Sequence, residues 1–416
     1  MKERRVGTVS RGIRCPIIRE GDNLAKIVSE SVLEAAEIEG FQMNDRDVIG
    51  ITESIVARSQ GNYATVEDIA ADVKAKFGDN TVGVIFPILS RNRFAICLKG
   101  IAQGAKKVVI QLTYPSDEVG NELVPLDLIE KAGVNPYSDV LTEKQFRELF
   151  GVIKHPFTGM DYIQYYGDVV REAGKEVEII FGNHPQDILK YTDCVLSCDI
   201  HTRFHTRKVL KENGARIVYG LDEILTASVN GSGYNENYGL LGSNKATEGK
   251  VKLFPHECKP MLLEIQDAIL KATGKKVEVM VYGDGAFKDP QGKIWELADP
   301  IVSPSHTDGL IGTPNELKLK YLADNDFANL NGEELKQAIS EKIKAKEGNL
   351  VGQMASEGTT PRQLTDLLGS LMGTKAPSDK SIISTSSAKT TPVIGAWKMA
   401  AKAAAPPMPI RSTIFL

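Results

Sequence analysis

A chain of 416 residues is too long for one ordinary hydrophobic core and predicts two or three domains. With 42% hydrophobic and 25% charged residues it has the balance of a globular protein. A formal net charge of −4 supplies no basic field to hold a phosphate backbone, so a nucleic-acid partner is disfavoured.

No run approaches the roughly 18 consecutive apolar residues of a membrane span. Met1-Lys-Glu-Arg-Arg5 is charged with no apolar stretch behind it, so a secretory signal is not expected. The 5 cysteines (Cys15, Cys97, Cys194, Cys198, Cys258) are scattered and odd in number, which points to free thiols in a reducing, cytoplasmic setting. Leu24, Ile27, Val28, Val32 and Ala35 recur at helical spacing and predict a helix over 22–36 with Asp22 as N-cap. A buried strand over 47–52 follows, left through a polar turn over 54–61. Thr65 and Asp68 form a reduced capping box at the start of a helix over 65–77. Strand 82–88, helix 92–104 and strand 108–112 come next.

From 113 to 220, helices over 161–173, 186–190 and 206–213 alternate with strands over 177–181, 194–198 and 216–219. That rhythm predicts βαβ units and a parallel sheet. A glycine- and asparagine-rich loop over 231–239 precedes a strand over 250–254, a helix over 260–273 and a strand over 277–282. Helices are predicted over 332–346 and 360–372, the second with Pro361 at its first turn. Beyond Gly373 the composition turns to Ser, Thr, Ala, Lys and Pro, with little apolar surface to offset ordering entropy. That stretch is expected to be poorly ordered or peripheral. The fold class is therefore α/β with mixed α+β character. A core in two parts, 1–112 and 221–372, carries an inserted parallel α/β subdomain over 113–220 and a low-complexity tail over 373–416.

Several polar groups stand where such folds place chemistry. Val279-Met-Val-Tyr-Gly-Asp284-Gly285 is an apolar strand running into a carboxylate between glycines, which suits a metal or an approaching phosphate and equally suits a solvated turn. Thr52-Glu53-Ser54-Ile-Val-Ala-Arg58 leaves another strand with hydroxyls and one guanidinium, the groups that receive phosphate oxygens, although a surface turn has the same composition. Ser90-Arg91-Asn92-Arg93 marks a helix start able to hold an anion such as a carboxylate or phosphate. Gln353, Glu357 and Gly358 lie in a polar loop before a helix and offer oxygen ligands and backbone N–H groups. Cys194, Cys198, His201 and His205 invite a zinc reading, but only two residues separate the cysteine pair from the histidine pair, and the cysteines share one face of an apolar strand. Core packing is the reading we adopt there. No G-x-x-x-x-G-K-[ST], no G-x-G-x-x-G after a strand, no G-x-S-x-G and no H-E-x-x-H occurs.

The order of these segments along the chain resembles the coenzyme F-420 γ-glutamyl ligase family, which adds glutamate to a deazaflavin precursor using GTP and a divalent metal. Gly12-Ile-Arg-Cys15-Pro16-Ile17-Ile18 followed by Glu20-Gly-Asp22-Asn-Leu is similar to the family's opening strand and first helix start. The segment from Asp47 to Gly61 is similar to its second conserved stretch, Val281-Tyr-Gly-Asp284 to its metal motif, and Val351-Gly-Gln353-Met-Ala-Ser-Glu357-Gly358 to its late loop.

The resemblance implies that the backbone of Cys15, Pro16, Ile17 and Ile18, together with Glu53, Ser54, Arg58, Glu357 and Gly358, contacts the nucleotide. It implies that Asp284 and Gln353 hold Mg²⁺ or Mn²⁺, with Asp284 and Arg58 at the catalytic centre. A second metal aspartate of the family has no match here. Asn244 is the nearest candidate, with Asn235 and Asn237 as rivals. Arg91 and Arg93 are candidates for an acceptor carboxylate. Expected co-substrates are GTP or ATP, glutamate and a carboxylate acceptor, in a homodimer. The competing class is a non-catalytic nucleotide- or ligand-binding protein of the same fold with a degenerate metal site.

Overall fold

Apolar positions segregate into separate cores, and the chain divides with them into two units: residues 1–60, 257–284 and 300–416 form one, residues 61–256 and 285–299 the other. The structure, a computed structural model, describes residues 9–156, 158–200, 202–283, 286–288, 295–297, 302–311, 319–345, 393–398 and 413–415. Among them, no helix is long and apolar enough to cross a membrane.

The first unit opens with β1 (Val9–Arg14), α1 (Leu24–Ile38), β2 (Val48–Thr52) and α2 (Glu53–Gln60). The second unit then runs β3 (Tyr63–Thr65), α3 (Val66–Phe77), β4 (Thr81–Ile85), α4 (Phe94–Gly104), β5 (Lys107–Leu112), α5 (Leu126–Ala132), β6 (Leu141–Thr142), α6 (Glu143–Phe150), α7 (Tyr162–Glu172), β7 (Val177–Phe181), β8 (Cys194–Ser197), α8 (Arg203–Glu212), β9 (Ile217–Gly220), β10 (Asn244–Thr247) and β11 (Lys250–Lys252). The first unit resumes with α9 (Lys259–Thr273) and β12 (Glu278–Gly283). A hairpin of β13 (Ala286–Lys288) and β14 (Trp295–Leu297) belongs to the second unit. β15 (Val302–His306), α10 (Leu319–Tyr321), α11 (Gly332–Ala345), β16 (Val393–Lys398) and β17 (Thr413–Phe415) return to the first.

The first unit carries a six-stranded mixed sheet in the order β1-β16-β17-β2-β12-β15. α1 and α9 cover it, burying Leu24, Val28 and Val32 with Leu262, Ile265 and Ile269 against Ile49, Ile51, Val279 and Val281. β16 and β17 come from the stretch expected to be peripheral, and both pair within this sheet. The helix expected over 360–372 lies outside the described residues.

Two local expectations change. The N-cap of α1 is Asn23, whose side chain accepts from Lys26 N, while Asp22 accepts from Arg19 N and closes the preceding turn. The stretch expected as a polar turn over 54–61 is helix α2, because Val56 and Ala57 are fully buried and anchor one face of it. The Thr65–Asp68 capping box forms at α3.

The second unit is built on a six-stranded sheet in the order β6-β7-β5-β4-β8-β9, parallel except for β6. The sheet draws in β4 and β5, which precede residue 113, because Val82, Val84, Val108 and Ile110 share one apolar core with Ile179 and Leu196. β4 stops at Ile85 rather than Ile88, since Phe86 turns to φ 54°. α5 and α6 were not anticipated, although Thr142 and Gln145 form a full capping box at α6. Gly100 and Gly104 lie one turn apart on α4, where a Cβ would meet Ile69 at 2.6 Å and Ala70 O at 2.5 Å, so these glycines allow α3 to approach.

Candidate functional site

In the first unit β1, β17, β2 and β12 run in one direction. Their carboxyl ends therefore emerge at one edge of the sheet, the edge where open α/β sheets collect ligand-binding groups. Segments far apart in sequence leave that edge together: Cys15 to Ile18 after β1 and Glu53 onward after β2. β12 lies beside β2 with Tyr282 opposite Thr52, and the chain after Gly283 continues to Asp284.

The strip after β1 is pinned from beneath. Cys15 and Ile18 are buried in the core that holds Val56 and Val281, while Ile17 is 42% exposed. Gly21, at φ 82°, donates its N–H to Ser59 O at 2.9 Å and ties the strip to the end of α2. A side chain at Gly21 would be strained in that conformation. Burial pushes the Cys15 thiol up to about 11, so it serves as packing rather than as a nucleophile. All five cysteines are free and buried. A disulfide-exchange reagent is therefore expected to find almost no thiol in the native protein and all five after denaturation; rapid native labelling would contradict this packing.

α2 follows β2 without a loop. Glu53 sits in its first turn and is half-buried. Ser54 and Arg58, four residues apart, share one exposed face. The edge thus offers the N–H groups of a helix start, a hydroxyl and a guanidinium, all of which receive phosphate oxygens. Gln353, Glu357 and Gly358, like Asp284, lie outside the described residues.

Arg91, Arg93 and Asn244 belong to the other unit. Arg93 is 8% exposed and stands at the N-cap of α4, where its carbonyl accepts from the Cys97 thiol. Arg91 is half-buried. Asn244 opens β10 opposite Lys252 in a hairpin and is half-buried. Its rival Asn235 is consumed structurally: its amide donates to Phe254 O and Pro255 O and accepts from Asn237 N and Tyr238 N. Asn237 is exposed.

Asn62 was not anticipated and performs the same service, donating to Tyr234 O and Phe254 O and accepting from Tyr234 N. Together Asn62 and Asn235 clamp the glycine-rich loop to the segment after β11. Asn62→Ala leaves buried backbone groups unsatisfied and is expected to destabilise the protein by about 1–3 kcal/mol, read by denaturant unfolding. An unchanged midpoint would remove the clamp.

Cys194 and Cys198 are each 1% exposed and pack in the core beneath β8, their thiols pushed up by burial. His205 is exposed on α8, and His201 lies outside the described residues.

Sequence reading also passed over the loop after β5. There Asp117 accepts from Val119 N, Asn121 N, the Asn121 amide and His155 Nε2, and Glu118 reaches the N–H of Ile200. The available signal was an acidic pair directly beyond the carboxyl end of a buried strand.

One unit with parallel strands that deliver phosphate-receiving groups to a common edge, and another built on a mostly parallel sheet, make this an α/β fold. Residues 12–394 match the pattern of the F420-0:gamma-glutamyl ligase family, nearly the whole chain, and the chain belongs to that family of ligases. No individual curated protein matches it.

Proposed function

We propose that this protein is a nucleotide- and metal-dependent ligase that joins glutamate, or a similar amino acid, to a carboxylate acceptor of the F420-0 type, working as a homodimer. The observation that carries the reading is the family match over residues 12–394, supported by the common edge at which β1 and β2 deliver the segments that we propose bind nucleotide. A carboxylate oxygen is a poor leaving group, so the acceptor must first be activated. Its oxygen attacks the γ-phosphorus of GTP or ATP, nucleoside diphosphate leaves, the amino nitrogen of glutamate attacks the acyl carbon, and phosphate leaves.

The protein's part is positioning and charge stabilisation. Arg58 receives phosphate oxygens, Ser54 and the first N–H groups of α2 orient them, and the backbone of residues 15–18 contacts the nucleotide. Asp284 and Gln353, both of the first unit, would supply oxygen donors with a single negative charge, which suit a hard cation and exclude soft ones. When bound, Mg²⁺ or Mn²⁺ offsets the charge of the triphosphate.

The test is incubation with GTP or ATP, Mn²⁺, glutamate and F420-0, reading phosphate release and the mass of a glutamyl adduct. An adduct formed only with triphosphate supports the ligase. Nucleotide-dependent thermal stabilisation without any adduct would instead favour a non-catalytic binding protein of the same fold with a degenerate metal site.

A further inference from the structure

The last carbonyls of α2, like those of any helix, have no later turn of their own helix to bond. One of them, Ser59 O, accepts from the N–H of Gly21 at 2.9 Å. The donor belongs to the turn behind another strand. β1 and β2 are not paired with each other, and β17 lies between them. The turn after β1 thus reaches over to the end of α2, while Cys15, Ile18 and Val56 share the core beneath.

The turn that makes this reach has a demanding backbone. Asp22 N donates to Arg19 O at 3.2 Å, and Gly21, the third of the four residues, stands at φ 82°, the pattern of a type II turn. The Asp22 carboxylate accepts from Arg19 N at 2.6 Å and closes the turn from its other side. Asn23 then caps α1, which fixes the path of the chain beyond. A Cβ at Gly21 would meet nothing within 4 Å, so space does not require glycine there; the left-handed backbone does. On one side of the tie lies the backbone of residues 15–18. On the other lies α2, with Ser54 and Arg58 exposed.

On the footing of the nucleotide site proposed for this edge, we propose that Gly21 is a positioning residue for the triphosphate. It touches no phosphate. Its left-handed turn holds the strip after β1 at a fixed spacing from Arg58, so that the backbone on one side and the guanidinium on the other engage one nucleotide together. An L side chain at this position relaxes the turn and releases the tie to Ser59, and each binding event must then restore the geometry. Affinity falls by the fraction of molecules that still hold it. Once nucleotide is bound the arrangement is the native one, so KM rises while kcat stays.

The test is isothermal titration of the full chain with GTP and with ATP, each with Mn²⁺, and steady-state kinetics on the same variants. Gly21→Ala is expected to weaken triphosphate binding on the order of 5- to 10-fold and to raise KM in step, with kcat within about twofold of wild type. Gly21→Asn, whose new side chain tolerates the left-handed region, should stay within about threefold of wild-type affinity. Gly274→Ala is the control for strain alone. Gly274 is also left-handed, at φ 66° behind α9, with nothing within 4 Å of a Cβ. Its alanine variant should lose stability much as Gly21→Ala does and keep its affinity. A Gly21→Ala protein that binds like wild type overturns the proposal. So does a loss confined to kcat, a Gly274→Ala protein weakened equally, or an asparagine variant as weak as the alanine one. In those cases the wild type still binds, and the nucleotide reading stands. A wild-type chain that binds neither triphosphate overturns both.

Discussion

Asp284→Ala is expected to abolish ligation while leaving the fold intact. The residue follows β12 directly, and β12 is parallel to β2 and paired with it from Glu278 to Tyr282. It is also the single carboxylate in the proposed cation set. A bound cation at a phosphoryl-transfer centre stabilises the transition state by several kcal/mol, which converts to a loss on the order of a thousandfold in kcat/KM. Thermal unfolding should be nearly unchanged, since a polar residue at a strand's end contributes little to the core of Ile49, Ile51, Val279 and Val281. Measured phosphate release within a few fold of wild type would remove Asp284 from the centre. A parallel loss of thermal stability would assign it a structural role instead.

Arg58→Ala is expected to separate nucleotide handling from folding. The side chain is exposed on α2, while Val56 and Ala57 hold the helix to the sheet. Stability should therefore move by less than about 0.5 kcal/mol. A charge-assisted hydrogen bond to phosphate contributes about 1.5–3 kcal/mol, so kcat/KM for the triphosphate should fall on the order of 10- to 100-fold. Arg58→Lys should recover part of that loss, because the charge survives and the planar fork does not. If the alanine variant turns over normally, the phosphate contact belongs to another cation. A fall in kcat/KM for the lysine variant as large as for the alanine variant would show that charge alone does not carry the contact.

The contrast between α2 and the other elements shows where sequence reading succeeded. Apolar periodicity located α1, α3, α9 and the strands at 177–181 and 194–198 because each buries a long stripe or a continuous run, and burial dominates local preference. α2 was read as a turn because its short buried face, Val56 and Ala57, is too brief to register as a period among Glu53, Ser54, Arg58, Ser59 and Gln60. Asn235 appeared among possible metal ligands, yet its amide is spent on four backbone groups that only the folded loop brings within reach.

The sequence by itself determined that the chain exceeds one apolar core, that strands and helices alternate through residues 161–220, and that phosphate- and cation-binding residue types follow particular strands. These are consequences of side-chain type and spacing along one segment. Only the tertiary structure decided which strands lie side by side. It placed β1 and β2 with their ends at one edge, drew β4 and β5 into the sheet with β7 and β8, and carried Glu118 across β4 to Ile200. Strand order and long-range pairing are set by how whole faces bury against one another. No local period encodes that competition, so the neighbours of a residue such as Glu118 become visible only after the chain has folded.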